Sequence, residues 1–162
     1  MSFVNESMRQ NVSRALLVVL RLYLSAVFLV ASWAKVSDME AWAARFDNVL
    51  MNSGLFNPHA FYRGFFQDVV LPNANLFAYL TAYGELLVGL ALLLGLCTRL
   101  ASVGAMLLLA NYLLAKGLPF WASSSNDAPM FFIALVLLLG AAGRSFGLDY
   151  FLAKRWPRMP LW

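Results

Sequence analysis

The chain has almost none of the side chains that metal and redox enzymes use for their own chemistry. Its one cysteine, Cys97, has no partner for an intramolecular disulfide and belongs to no CxxC pair, which excludes dithiol redox chemistry within the chain. There is one histidine, His59, in the Asn57-Pro58 break of a loop, where a lone histidine is expected to be structural. No haem ligand pair, no set of iron–sulfur cysteines and no Gly-rich nucleotide loop can be read, and no metal site is expected. Charge is scarce as well: 12% of residues are charged, against about 25% in a soluble domain.

What fills the chain instead is apolar. Hydrophobic residues make up 62%, concentrated in four stretches: Ala15–Ala34, Leu76–Leu96, Leu100–Lys116 and Ala128–Gly143. The first two are about 20 residues long, enough to cross a ~30 Å hydrocarbon core at ~1.5 Å per residue. The last two are shorter and have polar ends that suit the interface. None alternates with period two, so barrel strands are excluded and helices remain to satisfy the backbone in lipid. The expected fold class is an all-α membrane protein, a four-transmembrane-helix bundle forming one domain over residues 1–162. Arg9 and Arg14 before the first stretch, and Ser32-Trp33-Ala34 at its end, imitate a signal peptide. The stretch is longer than a signal core of about 7–15 residues and Arg21 interrupts it, so the first helix is expected to be retained.

Four spans place the N-terminus, the loop between spans two and three, and the C-terminus on one side. That side carries Arg9, Arg14, Arg99, Arg144, Lys154, Arg155 and Arg158, against Lys35, Arg45, Arg63 and Lys116 opposite. The excess of basic residues predicts cytoplasmic termini. The basic balance is thus a topology signal and implies no nucleic-acid partner. The lipid bilayer is the expected partner, with Lys154, Arg155 and Arg158 near anionic head groups. Trp33, Trp121, Trp156 and Trp162 fall near the span boundaries as interface anchors.

The long connection Val36–Asn75 is patterned. Met39, Trp42, Phe46, Val49 and Leu50 recur at helical spacing, and Phe61, Phe65 and Val69 do the same after the break. Two short amphipathic helices are expected on the outer face, capping the bundle or docking a partner.

The intramembrane polar residues are the candidate site. On the second span Ala78, Ala82, Glu85 and Gly89 share a helix face, and small residues mark close helix approach, so Glu85 points into the bundle. A charge at the bilayer centre costs from about 2.5 to more than 10 kcal/mol, so Glu85 needs a partner. Counting from span centres brings Arg21 within several Å of its depth, and an Arg21–Glu85 ion pair is expected. Asn111 on the third span, the hydroxyls of Tyr23, Tyr83 and Tyr112, and Lys35 and Asp127 at the outer end complete a polar column. Arg21, Glu85, Asn111, Tyr83, Lys35 and Asp127 are therefore the candidate ligand- or proton-binding residues. The same pair could equally serve only to fix helix register.

Several of these residues resemble one family. Arg21-Leu22-x-Leu24-Ser25-x-x-Phe28-Leu29-x-x-Ser32-x-x-Lys35 is similar to the first helix of the DoxX family. Gly84-Glu85-Leu86-x-x-Gly89-x-x-Leu92-x-x-Gly95-Leu96-x-Thr98-Arg99-Leu100-Ala101 is similar to its second helix and the following turn. Asn126-Asp127 and Gly147-Leu148-Asp149 fit as well, while Ser25 and Ser32 stand where the family pattern has glycines. The resemblance covers residues 14 to 152. It implies a small four-helix protein of the bacterial inner membrane. A related branch, DoxD, forms part of a thiosulfate:quinone oxidoreductase, and other members are linked to redox or oxidative-stress systems.

Three functions follow as expectations. The first is a membrane redox subunit with no covalently bound cofactor, binding a quinone among Arg21, Glu85, Asn111 and the tyrosines. The second is a scaffold anchoring a membrane or periplasmic protein partner through Val36–Asn75, with a structural ion pair. The third, a transporter, ranks last because four helices would need a homo-oligomer to build a pathway.

Overall fold

The computed structural model describes residues 2–52 and 57–159, and every regular element among them is helical. Helix α1 (Ser2–Val36) is followed by α2 (Met39–Asn52). A helical run then begins as α3 (Arg63–Phe65), passes through a π turn at Phe66–Val70 and a 3-10 turn at Leu71–Asn73, and continues as α4 (Ala74–Leu94). Helix α5 (Thr98–Lys116), α6 (Asp127–Gly140), a 3-10 turn at Ala142–Arg144 and α7 (Asp149–Arg155) complete the chain. Trp162 and the side chain of Arg9 lie outside the described residues.

Among the described residues, three helices are long and apolar enough to cross a membrane: Gln10–Val36, Arg63–Leu94 and Thr98–Lys116. The fourth apolar helix, α6, has 14 residues, about 21 Å, and ends before the expected Gly143. It stops because Ala141 turns into the left-handed region at φ 46°. The second span likewise ends at Leu94, two residues early. Gly95 takes φ 63° there, and Leu96 N–H returns to the Ala91 carbonyl in a left-handed cap.

The connection between the first two spans holds one separate amphipathic helix, α2, rather than two. The Phe61–Val69 pattern extends the second span outward. Pro72 has no N–H and would clash with the carbonyl four residues back in a regular helix, and the π and 3-10 turns absorb it without stopping the run.

The elements pack as an antiparallel bundle in which α1 lies on α4, α4 on α5, and α5 and α1 on α6. Leu24, Phe28, Leu92, Leu109 and Leu137 fill its core. A second cluster, Phe46 and Leu50 of α2 with Phe66, Val70, Ala78 and Ala115, seats α2 on the end of the bundle where α1 ends and α4 begins. Leu16, Val19, Val30, Leu80, Leu87, Leu107 and Leu139 remain exposed around the bundle, the outward apolar girdle that lipid solvates. On α4, Ala78, Ala82, Glu85 and Gly89 are all buried, as their shared face requires. At Gly89 a Cβ would come 2.9 Å from the Leu29 side chain and 3.1 Å from its backbone nitrogen, so α1 and α4 nearly touch. Ser25 uses that proximity to donate to the Gly89 carbonyl at 2.8 Å, and Ser25 and Ser32 are fully buried where glycines were expected.

Candidate functional site

The close approach at Gly89 sets which charges can meet. Gly89 faces Ser25 and Leu29, and the helices run antiparallel. One turn outward on α4, Glu85 therefore lies within reach of Lys35 and roughly two turns or more, on the order of 10 Å, from the level of Arg21. The expected Arg21–Glu85 pair does not form. Glu85 Oε2 accepts from Lys35 Nζ at 2.5 Å, and Oε1 accepts from the Tyr112 hydroxyl at 2.6 Å. Counting from the centres of apolar stretches missed this because α1 and α4 are offset along their axes by the contact at Gly89.

The outer polar group extends beyond this pair. Lys35 Nζ stands 5.5 Å from the centre of the Trp42 ring, where the ring quadrupole adds to the attraction of the carboxylate. Lys116 donates to Asp127 Oδ2 at 2.7 Å and sits 6.0 Å from the Tyr112 ring centre. Ser125 donates to the same Asp127 oxygen. Asp127 thus pairs with Lys116, not Lys35. Asn111 accepts from the Tyr62 hydroxyl. Burial pushes the Tyr62 phenol above its ordinary pKa, which keeps the proton on the donor. Tyr83 is exposed and stacks on Tyr79 with ring centres 6.2 Å apart, away from the site. Tyr23 is exposed as well.

Two spaces flank this group. A small, partly open cavity of about 60 Å³, room for a few waters, is lined by residues including Phe46, Tyr62, Phe77, Thr81, Asn111 and Tyr112. A groove of about 340 Å³ opens beside Lys35, Trp42, Arg45 and Val49. Lys35, Glu85 and Tyr112 form a hydrogen-bonded chain from the groove to the cavity. Of the candidate residues, Glu85, Lys35 and Asn111 come together here, with Asp127 one ion pair further out.

Arg21 belongs to a second centre at the opposite end. Its guanidinium, 2% exposed, donates to the carbonyls of Ala142 at 3.1 Å, Ser145 at 3.2 Å and Phe146 at 2.9 Å. Asp149, fully buried, attracts it electrostatically. The Asp149 carboxylate accepts the backbone N–H of Cys97 at 2.6 Å and of Thr98 at 2.8 Å, so it caps the positive end of α5 from 51 residues away. Leu148 and Asp149 N–H also bond the Leu94 and Gly95 carbonyls. A Cβ on Gly143 would coincide with the Asp149 carboxylate and the Thr98 hydroxyl, which leaves glycine as the residue that fits. This clamp ties α1, α4, α5, the end of α6 and α7 together. Sequence reasoning noted Gly147-Leu148-Asp149 without a role for it, since the cap spans two distant segments. The one signal was an acid at the foot of an apolar chain, next to glycines.

Among the described residues, no three of His, Cys, Asp and Glu gather to hold a metal ion. His59 Nε2 lies 3.3 Å from the Leu118 carbonyl, closing a loop.

A family model described as DoxX matches residues 16–115, which takes in the first three apolar helices and both partners of the Glu85 carboxylate. No solved structure matches the chain.

Two outcomes follow for stability. Asp149→Ala strands two buried N–H groups and the Arg21 charge, and should cost about 3–5 kcal/mol, seen as a lower thermal midpoint in detergent. Asp149→Asn, which keeps an acceptor, should cost less. Lys35→Met should destabilise more than the double variant Lys35→Met/Glu85→Gln, with a coupling of about 0.5–3 kcal/mol in a double-mutant cycle.

Proposed function

The chain belongs to the DoxX family, and from that premise we propose that it is a multi-pass membrane subunit of a redox system, working on a quinone in its outer half. The observation that carries the reading is the chain Lys35–Glu85–Tyr112 joining an outer groove to an aromatic-walled cavity. Ionisable groups within a membrane span are expensive to keep, and proton relays are a common reason for keeping them.

The residues around the cavity fit the chemistry of a flat head group with carbonyl oxygens. Phe46, Tyr62, Phe77 and Tyr112 line the cavity with aromatic rings, and the Asn111 amide N–H offers a donor at one end, while the Tyr112 proton is shared with Glu85. About 60 Å³ is small for a ring, so entry requires the α2 cap to shift on its Phe46 and Leu50 contacts. A quinone bound there would be reduced by two electrons from a partner protein and two protons from solvent at the groove. The Glu85 carboxylate, ionised beside Lys35 and accepting from the Tyr112 hydroxyl, would take up each proton in turn and pass it on through the Tyr112 hydroxyl, the group that meets the cavity. The Arg21 centre takes no part and is structural.

In this reading α6 and the turn after it make a fourth, shorter crossing within a single domain. The membrane is the bacterial inner membrane and both termini are cytoplasmic, supported by the basic residues at the Arg21 end. A second reading, a scaffold for a periplasmic or membrane partner, is favoured by one feature. A groove of about 530 Å³ on α2 and the start of α4 carries Glu40 and Asp47, a surface suited to a basic partner.

Lipid extracts of protein purified in mild detergent, analysed for quinone by mass spectrometry, separate the two. The redox reading expects near-stoichiometric quinone in the wild type and at least a several-fold drop in Tyr112→Phe and Asn111→Leu variants of unchanged helicity. Wild-type protein that carries no quinone above the detergent blank contradicts it.

A further inference from the structure

At the opposite end from the polar relay, an open groove of about 970 Å³ runs between the foot of α1, the end of α4 and the segment before α7. Its lining is divided in a particular way. Arg14 and Arg144 stand at its polar margin, and Leu93, Leu94, Phe146 and Phe151 make an apolar wall. No carboxylate is among its described lining residues. Leu94 is 50% exposed and Phe146 88%, so the wall is bare in the isolated chain.

We propose that this groove is a resident site for an anionic glycerophospholipid, its phosphate between Arg14 and Arg144 and an acyl chain along Leu93, Leu94 and Phe151. Four observations bear on the occupant. Both charged residues of the described lining are arginines, whose planar guanidinium suits a phosphodiester. Arg14 lies seven residues, about 10 Å, beyond Arg21 along α1, and Leu94 is the last residue of α4, so the groove crosses from span to head-group depth. Phe146 holds φ 52°, a backbone conformation that a bulky residue rarely adopts, while Arg21 donates to its carbonyl and the exposed Phe146 side chain lines the groove. Finally, α7 leads away with Lys154 and Arg155 beside Tyr150 and Trp156, the composition of an interfacial helix. The site is independent of the quinone reading, which concerns the other end of the bundle.

Native mass spectrometry of the full chain, offered equal amounts of palmitoyl-oleoyl phosphatidylglycerol and phosphatidylcholine in detergent, tests this. The wild type should retain one phosphatidylglycerol in preference to phosphatidylcholine. Arg14→Gln and Arg144→Gln should each lower that preference about fivefold, the worth of one basic residue at a lipid surface. Lys154→Gln/Arg155→Gln should leave it in place. Leu94→Trp, which fills the groove with both arginines intact, should lose the bound lipid; it carries the test should an arginine variant fail to fold. Equal retention of the two lipids by the wild type overturns the proposal. So does loss of preference in the Lys154/Arg155 variant to the same extent as in the Arg14/Arg144 variants.

Discussion

A carboxylate on an intramembrane helix needs a counter-charge at its own depth, and Lys35 at the end of α1 is that counter-charge for Glu85. Much of the half of the bundle beneath α2 is arranged around this contact. It joins α1 to α4 where both are nearest the cap helix α2, and Tyr112 brings α5 to the second carboxylate oxygen. With both oxygens engaged, the acid is held in the bundle without stranding a buried charge. Trp42 of α2 closes over the lysine, which couples the cap to the charge pair.

The other end solves the same problem differently. Among the described residues no carboxylate is bonded to Arg21; three backbone carbonyls accept from its two terminal nitrogens, Nε is left without a partner, and Asp149 lies near. Asp149 in turn is satisfied by two backbone N–H groups at the start of α5. Backbone groups freed at helix ends thus absorb the buried charges, and the charges satisfy the helix ends. The result is one centre built from long side chains near an aromatic cavity, and one built from backbone.

Much of this was legible in the sequence. The apolar helices follow from length and composition, and the inward face of Glu85 follows from Ala78, Ala82 and Gly89 at helical spacing. The partner of Glu85 did not follow. Depth counted from the middle of an apolar run ignores the axial offset that Gly89 and Leu29 impose, and that offset exchanges Arg21 for Lys35. The described residues 57–59 are not helical, but the helix after them merges with α4, because a π turn and a 3-10 turn carry the chain past Pro72. The role of Asp149 was hidden for a different reason: its partners, Cys97 and Thr98, become neighbours only when α7 folds back under α5. Tyr83 was a reasonable candidate by depth, yet it lies on the opposite face of α4 from the small residues and faces outward with Tyr79.

The assignment of Lys35 rather than Arg21 to Glu85 carries the account of the site. Exchanging the charges tests it most directly, by thermal unfolding in detergent. Lys35→Glu and Glu85→Lys should each destabilise alone, and combining them should recover most of the lost midpoint. Arg21→Glu combined with Glu85→Arg should recover nothing beyond the sum of the two single changes. Recovery in the Arg21–Glu85 exchange, with none in the Lys35–Glu85 exchange, would contradict the account.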